Sequence, residues 1–244
     1  MKTFVVCHFY NESYLLPYWL NHHKNIFDHG IMINYKSTDN SVSLIQSIVP
    51  GWKIIDSVNE NFQAADVDQE VMRIESECIG IKICLNVTEF LFCKNLSSHF
   101  DMNSNQAYAI ERFTMVQKWD FFKFVKSPLW KSRYFGYAGN NNINGVHRFI
   151  HNYGDGQYTV GRHSTTHDYN IMEDAIILWY GFSPFNSAMV KRKLQIKYRI
   201  PKSDFLNGYG FQHNVGFLNL FKSYLSQLKH NKVINLKNKI ESFQ

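Results

Sequence analysis

The sequence predicts an α/β fold in which helices flank a sheet with parallel strands, followed by a basic helical extension. Over the first 95 residues, short apolar runs rich in β-branched residues alternate with segments whose apolar residues recur at helical spacing. Further along, short apolar runs alternate with turns rich in Gly and Asn, which is typical of antiparallel strands. With 244 residues, 45% of them hydrophobic, the chain is long enough to bury a large core.

The first half contains four predicted strands, at 3–7, 31–34, 52–55 and 81–85. Three helices are predicted between them, one from Leu15 to near Gly30, one over 42–48, and one over 61–80 with Gly80 as its C-terminal cap. This β-α-β-α-β-α-β order is typical of a parallel sheet with right-handed crossovers. Such sheets bind ligands at the carboxyl ends of their strands, so we expect the site in the polar segments that follow them.

We expect one domain made of two halves, residues 1–95 and 96–186, and a C-terminal extension over 187–244. The chain has a formal net charge of +6, and the positive charge is concentrated in the extension. Apolar residues at helical spacing predict an amphipathic helix there, at Phe217, Leu218, Phe221, Tyr224, Leu225 and Leu228. A basic segment with such a helix is typical of peripheral contact with a membrane surface or of an anionic acceptor. A helix packed on the domain with a solvated lysine face is the alternative.

Several classes of protein are excluded by the same composition. No apolar run approaches the roughly 20 residues needed to span a bilayer, and the first residues lack a signal-peptide core. The four cysteines form no Cys-x-x-Cys pair, so we interpret them as reduced thiols in a cytoplasmic protein. No known nucleic-acid-binding motif is present, so no nucleic-acid partner is expected.

Polar residues follow three of the predicted strands, in the segments HFYNES, KSTDNS and NVTE. Converging loops of this kind can hold a nucleotide, with Asp39 accepting a hydrogen bond from a base or a ribose hydroxyl. Solvated turn residues are the alternative, because Asn, Asp and Ser are common in turns.

The order of these motifs resembles the start of family-2-like glycosyltransferases with the GT-A fold. That family shows a strand, Asn-Glu, a helix with WLxxH, a second strand ending in DxxSxDxS and, later, DxDEFL. The matching residues here are Asn11, Glu12, Trp19, Leu20, His23, Ser37, Asp39 and Ser41, followed by NVTEFLF at 86–92. The resemblance covers roughly residues 3–95.

This resemblance implies a GT-A-like, Rossmann-type mixed sheet and a glycosyltransferase. The enzyme would move a sugar from a nucleotide sugar to a hydroxyl of a glycan or lipid-linked acceptor, with inversion. The donor-binding residues that it implies are Tyr10, Asn11, Glu12, Asp39, Asn86 and Thr88.

The chain departs from the family at the metal-binding motif. Where the family has two aspartates that hold a divalent metal, this chain has Asn86 and Thr88, which are weaker ligands for Mg²⁺ or Mn²⁺. Three alternatives follow. In the first, Glu89 holds a divalent metal together with waters or with a histidine, either His163 or His213. In the second, cationic side chains stabilise the leaving group instead of a metal. In the third, the chain is a catalytically inactive GT-A-like module that binds a glycan or a partner.

Inverting transfer also needs a carboxylate that takes the proton of the acceptor hydroxyl. The family often places this base on a Glu-Asp pair after the sheet, so the resemblance implies Glu173 and Asp174, before the apolar run AIILWY. A turn or helix-terminal carboxylate is the alternative.

Overall fold

A computed structural model of the protein describes residues 1–117, 128–139, 147–207, 216–230 and 232–243. The strands in these ranges are β1 (Thr3–Phe9), β2 (His29–Asn34), β3 (Lys53–Asp56), β4 (Ile81–Cys84), β5 (Glu89–Cys93), β6 (Ala107–Met115), β7 (Phe135–Ala138), β8 (Arg148–His151), β9 (Asn170–Trp179) and β10 (Ile234–Asn235). The helices are α1 (Leu16–His23), α2 (Ser41–Ile48), α3 (Ala64–Ser76), α4 (Ser187–Gln195), α5 (Lys202–Leu206), α6 (Phe217–Leu228) and α7 (Lys237–Glu241).

The first half forms the predicted parallel sheet, in the order β4-β1-β2-β3. Its central strands place apolar residues on both faces of the sheet because both faces are covered. In β1, Val5 and Cys7 pack in the same core cluster as residues of α1 and α2, whereas Val6 packs with α3. The alternation of side chains along the strand therefore places α1 and α2 on one face and α3 on the other.

The second half extends the same sheet with mostly antiparallel strands. β4 pairs with β8, β8 with β6, β6 with β7 and β7 with β10, all antiparallel. β9 pairs antiparallel with β5 and parallel with β6. The predicted mixed sheet with flanking helices is confirmed.

Two predicted helix ends are wrong, and glycines are the cause in both cases. α1 ends at His23, and Gly30 lies inside β2, where a Cβ would meet the Trp52 ring at 2.0 Å. α3 ends at Ser76, and Gly80 lies against the backbone of Lys2, whose carbonyl oxygen a Cβ would meet at 2.3 Å. These glycines mark close approaches between elements, not helix C-caps.

The C-terminal part packs on the body of the domain. Met189 of α4 and Tyr224 of α6 share a buried cluster with Phe185 and Leu220. The predicted amphipathic helix is confirmed as α6, although its first apolar residues, Phe217 and Leu218, are exposed. In the described ranges, no helix combines the length and the apolar character that a membrane crossing requires.

Candidate functional site

A cavity of about 490 Å³ lies beyond the carboxyl ends of β1 and β4. Four of the sequence-predicted donor-binding residues line it. Tyr10 and Glu12 come from the segment after β1, and Asn86 and Thr88 from the segment after β4. They meet because parallel strands bring their carboxyl ends to one edge of the sheet.

The other two predicted donor-binding residues, Asn11 and Asp39, lie outside the cavity lining and join the two strand-end loops. Oδ1 of Asn11 accepts the backbone N–H of Thr38 at 2.7 Å and of Asp39 at 3.2 Å. The Asp39 carboxylate accepts the backbone N–H of Ser13 at 3.1 Å and of Ser41 at 3.0 Å. Burial raises the pKa of Asp39, but these hydrogen bonds outweigh burial, and its pKa lies below the ordinary value.

Glu89, the first predicted metal ligand, is fully buried and paired with Arg148. Oε1 lies 2.9 Å from Nη2 of Arg148, and Oε2 accepts Nε–H of Arg148 at 3.0 Å and the backbone N–H of Asn86 at 2.8 Å. Burial raises the pKa of Glu89, but Arg148 outweighs it and holds the pKa below its ordinary value. The charge of the Glu89 carboxylate is therefore already neutralised by Arg148.

His163, the second predicted metal ligand, lines the cavity but faces the same arginine. Its Nδ1 lies 3.3 Å from Nη1 of Arg148. Burial, with Arg148 and Arg112 nearby, lowers the pKa of His163 to about 4. The guanidinium of Arg148 thus contacts both predicted metal ligands, Glu89 and His163.

An arginine also contacts Asn86, which stands at the position of the family's first metal-binding aspartate. Oδ1 of Asn86 accepts Nη2–H of Arg162 at 3.2 Å, and Arg162 forms a buried ion pair with Asp68. Across the described ranges, no three or more His, Cys, Asp or Glu side chains are grouped so that they could hold a metal ion. His213, the other predicted histidine ligand, lies outside the described residues.

Two cations in the cavity form no ion pair within the described part of the chain. The guanidinium of Arg112, on β6, stands 4.7 Å from the centre of the Trp179 ring. Nζ of Lys193, on α4, stands 4.2 Å from the centre of the Phe182 ring and 5.5 Å from that of Trp179. Burial lowers the pKa of Arg112 to about 10 and, with Arg192 nearby, that of Lys193 to about 7. A cavity with such cations favours an anionic ligand.

An aromatic wall forms another part of the cavity. The rings of Tyr10 and Phe62 lie 6.1 Å apart in an edge-to-face arrangement. The guanidinium of Arg199 stacks over Tyr10 at 4.6 Å and donates to the backbone carbonyl oxygens of Tyr35 and Glu60. Because the Tyr35 ring also stacks on Phe62 at 4.4 Å, this wall is a packed aromatic cluster beside a cation.

The predicted catalytic pair, Glu173 and Asp174, is not brought to this cavity. Both side chains are exposed on β9, whereas Trp179 of the same strand lines the cavity. Trp179 lies five positions after Asp174, which is roughly 17 Å along an extended strand. Asp204, a buried carboxylate of α5, lines the cavity instead and accepts the backbone N–H of Ala64 at 2.8 Å.

Sequence reasoning missed the arginines of the second half. Arg112 and Arg148 occur in apolar runs that predict strands, and a charged residue inside such a run is the signal that marks them. Arg192 and Lys193 were grouped with the basic extension. In the structure Arg192 pairs with Glu12, and α4 forms a wall of the cavity.

Comparison with known proteins gives structural likenesses only. No protein-family model matches the sequence, and no curated protein sequence does either. Residues 1–349 of Staphylococcus aureus TarS match 82% of this chain and 65% of their own length, with 10% identity and a TM-score of 0.46. The chain therefore spans less than two thirds of that structure.

Two further solved structures are similar, with lower TM-scores. Glucosyl-3-phosphoglycerate synthase from Mycobacterium tuberculosis, in complex with Mn²⁺, uridine diphosphate and glucosyl-3-phosphoglycerate, matches 36% of this chain and 34% of its own, with 14% identity and a TM-score of 0.30. The 4-diphosphocytidyl-2C-methyl-D-erythritol synthase from Anaerococcus prevotii matches 70% and 88%, with 9% identity and a TM-score of 0.35.

Proposed function

We propose that the protein is a glycosyltransferase that moves a sugar from a nucleotide sugar to a hydroxyl group, with inversion. The observation that carries the proposal is the cavity, where aromatic faces adjoin Arg112 and Lys193, two cations that form no ion pair among the described residues. A nucleotide sugar offers the complementary chemistry, a flat base at one end and a negatively charged diphosphate in the middle. The sequence motifs at the strand ends support the same ligand.

The acceptor is proposed to be a glycan or a lipid-linked hydroxyl compound. Supporting this, Phe217 and Leu218 are exposed at the start of α6, and exposed lysines lie nearby on α4 and α6, at Lys191 and Lys222. Apolar side chains beside lysines suit peripheral contact with an anionic surface. Sedimentation with anionic vesicles tests this part, since Phe217→Ser with Leu218→Ser should reduce the bound fraction.

An inactive module that binds a glycan or a partner is the second candidate. It is favoured by the carboxylates of the cavity, because Glu12 and Asp68 are ion-paired with Arg192 and Arg162. Paired carboxylates are poor proton acceptors, so the cavity contains few groups suited to base catalysis.

A panel of nucleotide sugars distinguishes the two candidates. The purified protein is incubated with each donor, with and without Mn²⁺, and release of nucleoside diphosphate is measured. We expect release from one donor class, stimulated by an acceptor. Binding of a donor without release would favour the inactive module, and neither binding nor release with any donor would refute the transferase.

The catalytic base is proposed to be Asp204 in preference to the sequence-predicted pair. In the described residues no cation pairs with its carboxylate, and Asn at this position still accepts the N–H of Ala64. Asp204→Asn should therefore lower kcat by roughly 100-fold or more while nucleotide binding persists. If Asp174→Asn abolishes transfer and Asp204→Asn does not, the assignment from sequence is the correct one.

A further inference from the structure

The residues at the expected metal position do not fit a divalent cation. Both carboxylate oxygens of Glu89 contact Arg148, and the amide oxygen of Asn86 is taken by Arg162. A divalent cation bound there would lie among two guanidinium groups that already use the oxygen ligands. Mg²⁺ and Mn²⁺ prefer carboxylate oxygens that are free to coordinate.

The cavity contains two other positively charged side chains. Arg112 rises from β6 and Lys193 from α4, and both side chains stack near the Trp179 ring, at 4.7 and 5.5 Å from its centre. Both side chains line the same cavity, and Arg112 lies close enough to Lys193 to contribute to the lowered pKa of the lysine. Neither forms an ion pair among the described residues, in contrast with Arg148, Arg162 and Arg192, each of which is ion-paired.

We propose that Arg112 and Lys193 together bind the diphosphate of the donor directly, so that this cleft works without a divalent metal ion. The inference rests on the proposed function for the identity of the ligand, and its anion-binding part stands on the geometry alone. Two half-buried cations are unfavourable when the cleft is empty, and a diphosphate supplies the missing counter-charge.

The same two residues would act in the transfer step. The acceptor oxygen forms a bond to the anomeric carbon, and its proton passes to a carboxylate. The bond from the anomeric carbon to the diphosphate oxygen breaks, and its electron pair stays on that oxygen. The departing nucleoside diphosphate thereby gains one negative charge, which Arg112 and Lys193 lie in position to offset.

Binding of unlabelled nucleoside diphosphates tests the proposal directly. Affinities for UDP, GDP, CDP and ADP, and for inorganic pyrophosphate, are measured calorimetrically in EDTA and again with Mn²⁺. We expect at least one nucleoside diphosphate to bind in EDTA with an affinity within about threefold of that with Mn²⁺. Arg112→Gln and Lys193→Gln should each weaken it by roughly tenfold or more, since each removes a charge-assisted contact.

Matched variants separate a local effect from a general loss of positive charge. Lys53→Gln removes an exposed lysine of β3, and Arg73→Gln removes an exposed arginine of α3. Both should bind as the unmodified protein does. Lys193→Arg keeps the positive charge and should retain binding. That result would show that the helix tolerates a substitution at this position.

The outcomes distinguish this inference from the proposed function. Binding that requires Mn²⁺, or that survives both Gln variants, overturns the inference and leaves the transferase proposal standing. Metal-free binding that both variants weaken, without transfer from any donor, supports the anion site and refutes the transferase. Absence of nucleoside diphosphate binding under both conditions overturns both.

Discussion

The Arg148 guanidinium contacts several groups that surround the cleft. It pairs with Glu89 and donates to the backbone carbonyl oxygens of Gly161 and Arg162, at 3.2 and 3.0 Å. It also lies beside His163. Because its guanidinium is buried, these acceptors replace the water that it loses on folding.

Removing the charge of Glu89 should therefore destabilise the fold. Glu89→Gln leaves Arg148 buried without a negative partner, and we expect the free energy of unfolding to fall by about 3 kcal/mol or more. Urea denaturation measures it. Glu77→Gln, which breaks the exposed pair with Arg73, should change it by only about 0.5 kcal/mol or less. Equal effects of the two substitutions would contradict this view of the buried pair.

Lys193 should make nucleotide binding depend on pH near neutrality. Its ammonium is charged below the lowered pKa of about 7 and neutral above it, so affinity for a nucleoside diphosphate should fall between pH 6 and 8. Of the groups that face it, Arg112 and Arg192 repel the charged form and Glu12 favours it.

Calorimetric affinities across that pH range provide the measurement. Lys193→Arg keeps its charge throughout, so the difference between the two profiles isolates Lys193 from the titration of the nucleotide itself. Parallel profiles would show that Lys193 does not carry the effect.

At the scale of elements, α4 is the part of the C-terminal segment that completes the cleft. It presents Arg192 and Lys193 to the cavity, and its last residue, Gln195, donates to the backbone carbonyl oxygens of Tyr10 and Asn11 at 3.4 and 3.2 Å. The helix thus joins the basic segment to the loop after β1. Its N-terminus is capped by Asn186, whose side-chain oxygen accepts the N–H of Met189 at 3.0 Å.

Loss of this cap should weaken both the helix and the cleft. Asn186→Ala should lower the free energy of unfolding by about 1 kcal/mol and reduce nucleoside diphosphate affinity, because the first turn of α4 would fray. Asn186→Ser keeps a capping oxygen but loses the contact with Tyr14, so it should recover most of the stability. Thermal denaturation of the three proteins tests this, and an Ala variant as stable as the Ser variant would exclude a role for the cap.

At the scale of the whole molecule, the cleft gathers positive charge from distant parts of the chain. β6, β8 and α4 bring Arg112, Arg148 and Lys193 to the carboxyl edge of strands that belong to the first half. Such convergence has a cost in stability, because Arg112 and Lys193 lose hydration without gaining an ion pair from the described residues when the protein folds.

Replacing Lys193 by an apolar residue of similar size should therefore stabilise the ligand-free protein. The pKa of Lys193 is lowered in the folded state, so the unfolded chain binds more protons between about pH 7 and 10, and the penalty is complete below pH 7. We expect Lys193→Met to add about 1 kcal/mol at pH 6 and less at pH 10.

The same variant should lose most of the rise in melting temperature that a nucleoside diphosphate produces. Lys191→Met serves as the control on the exposed face of α4 and should change neither quantity. A Lys193→Met protein that is less stable at pH 6 would contradict the assignment of an unpaired cation at this position.

Local sequence patterns are sufficient to predict the first half of the fold. Its strands are set by local runs such as 3–7, and Glu12 and Asn86 follow strands whose parallel pairing brings them together. Two predicted helix ends are wrong because Gly30 and Gly80 allow close contacts with Trp52 and Lys2. Each contact joins residues that are far apart in the sequence. Local patterns contain no information about such contacts.

Which charges meet depends on long-range packing. Asp174 has the side chain expected of a base but faces solvent, whereas Arg112, inside a strand, lines the cavity. Lys193 belongs to a segment that the sequence marks merely as basic. The physical reason is that burial and pairing of a charge depend on side chains from elements far apart in the chain, which come together only when the sheet and α4 are assembled.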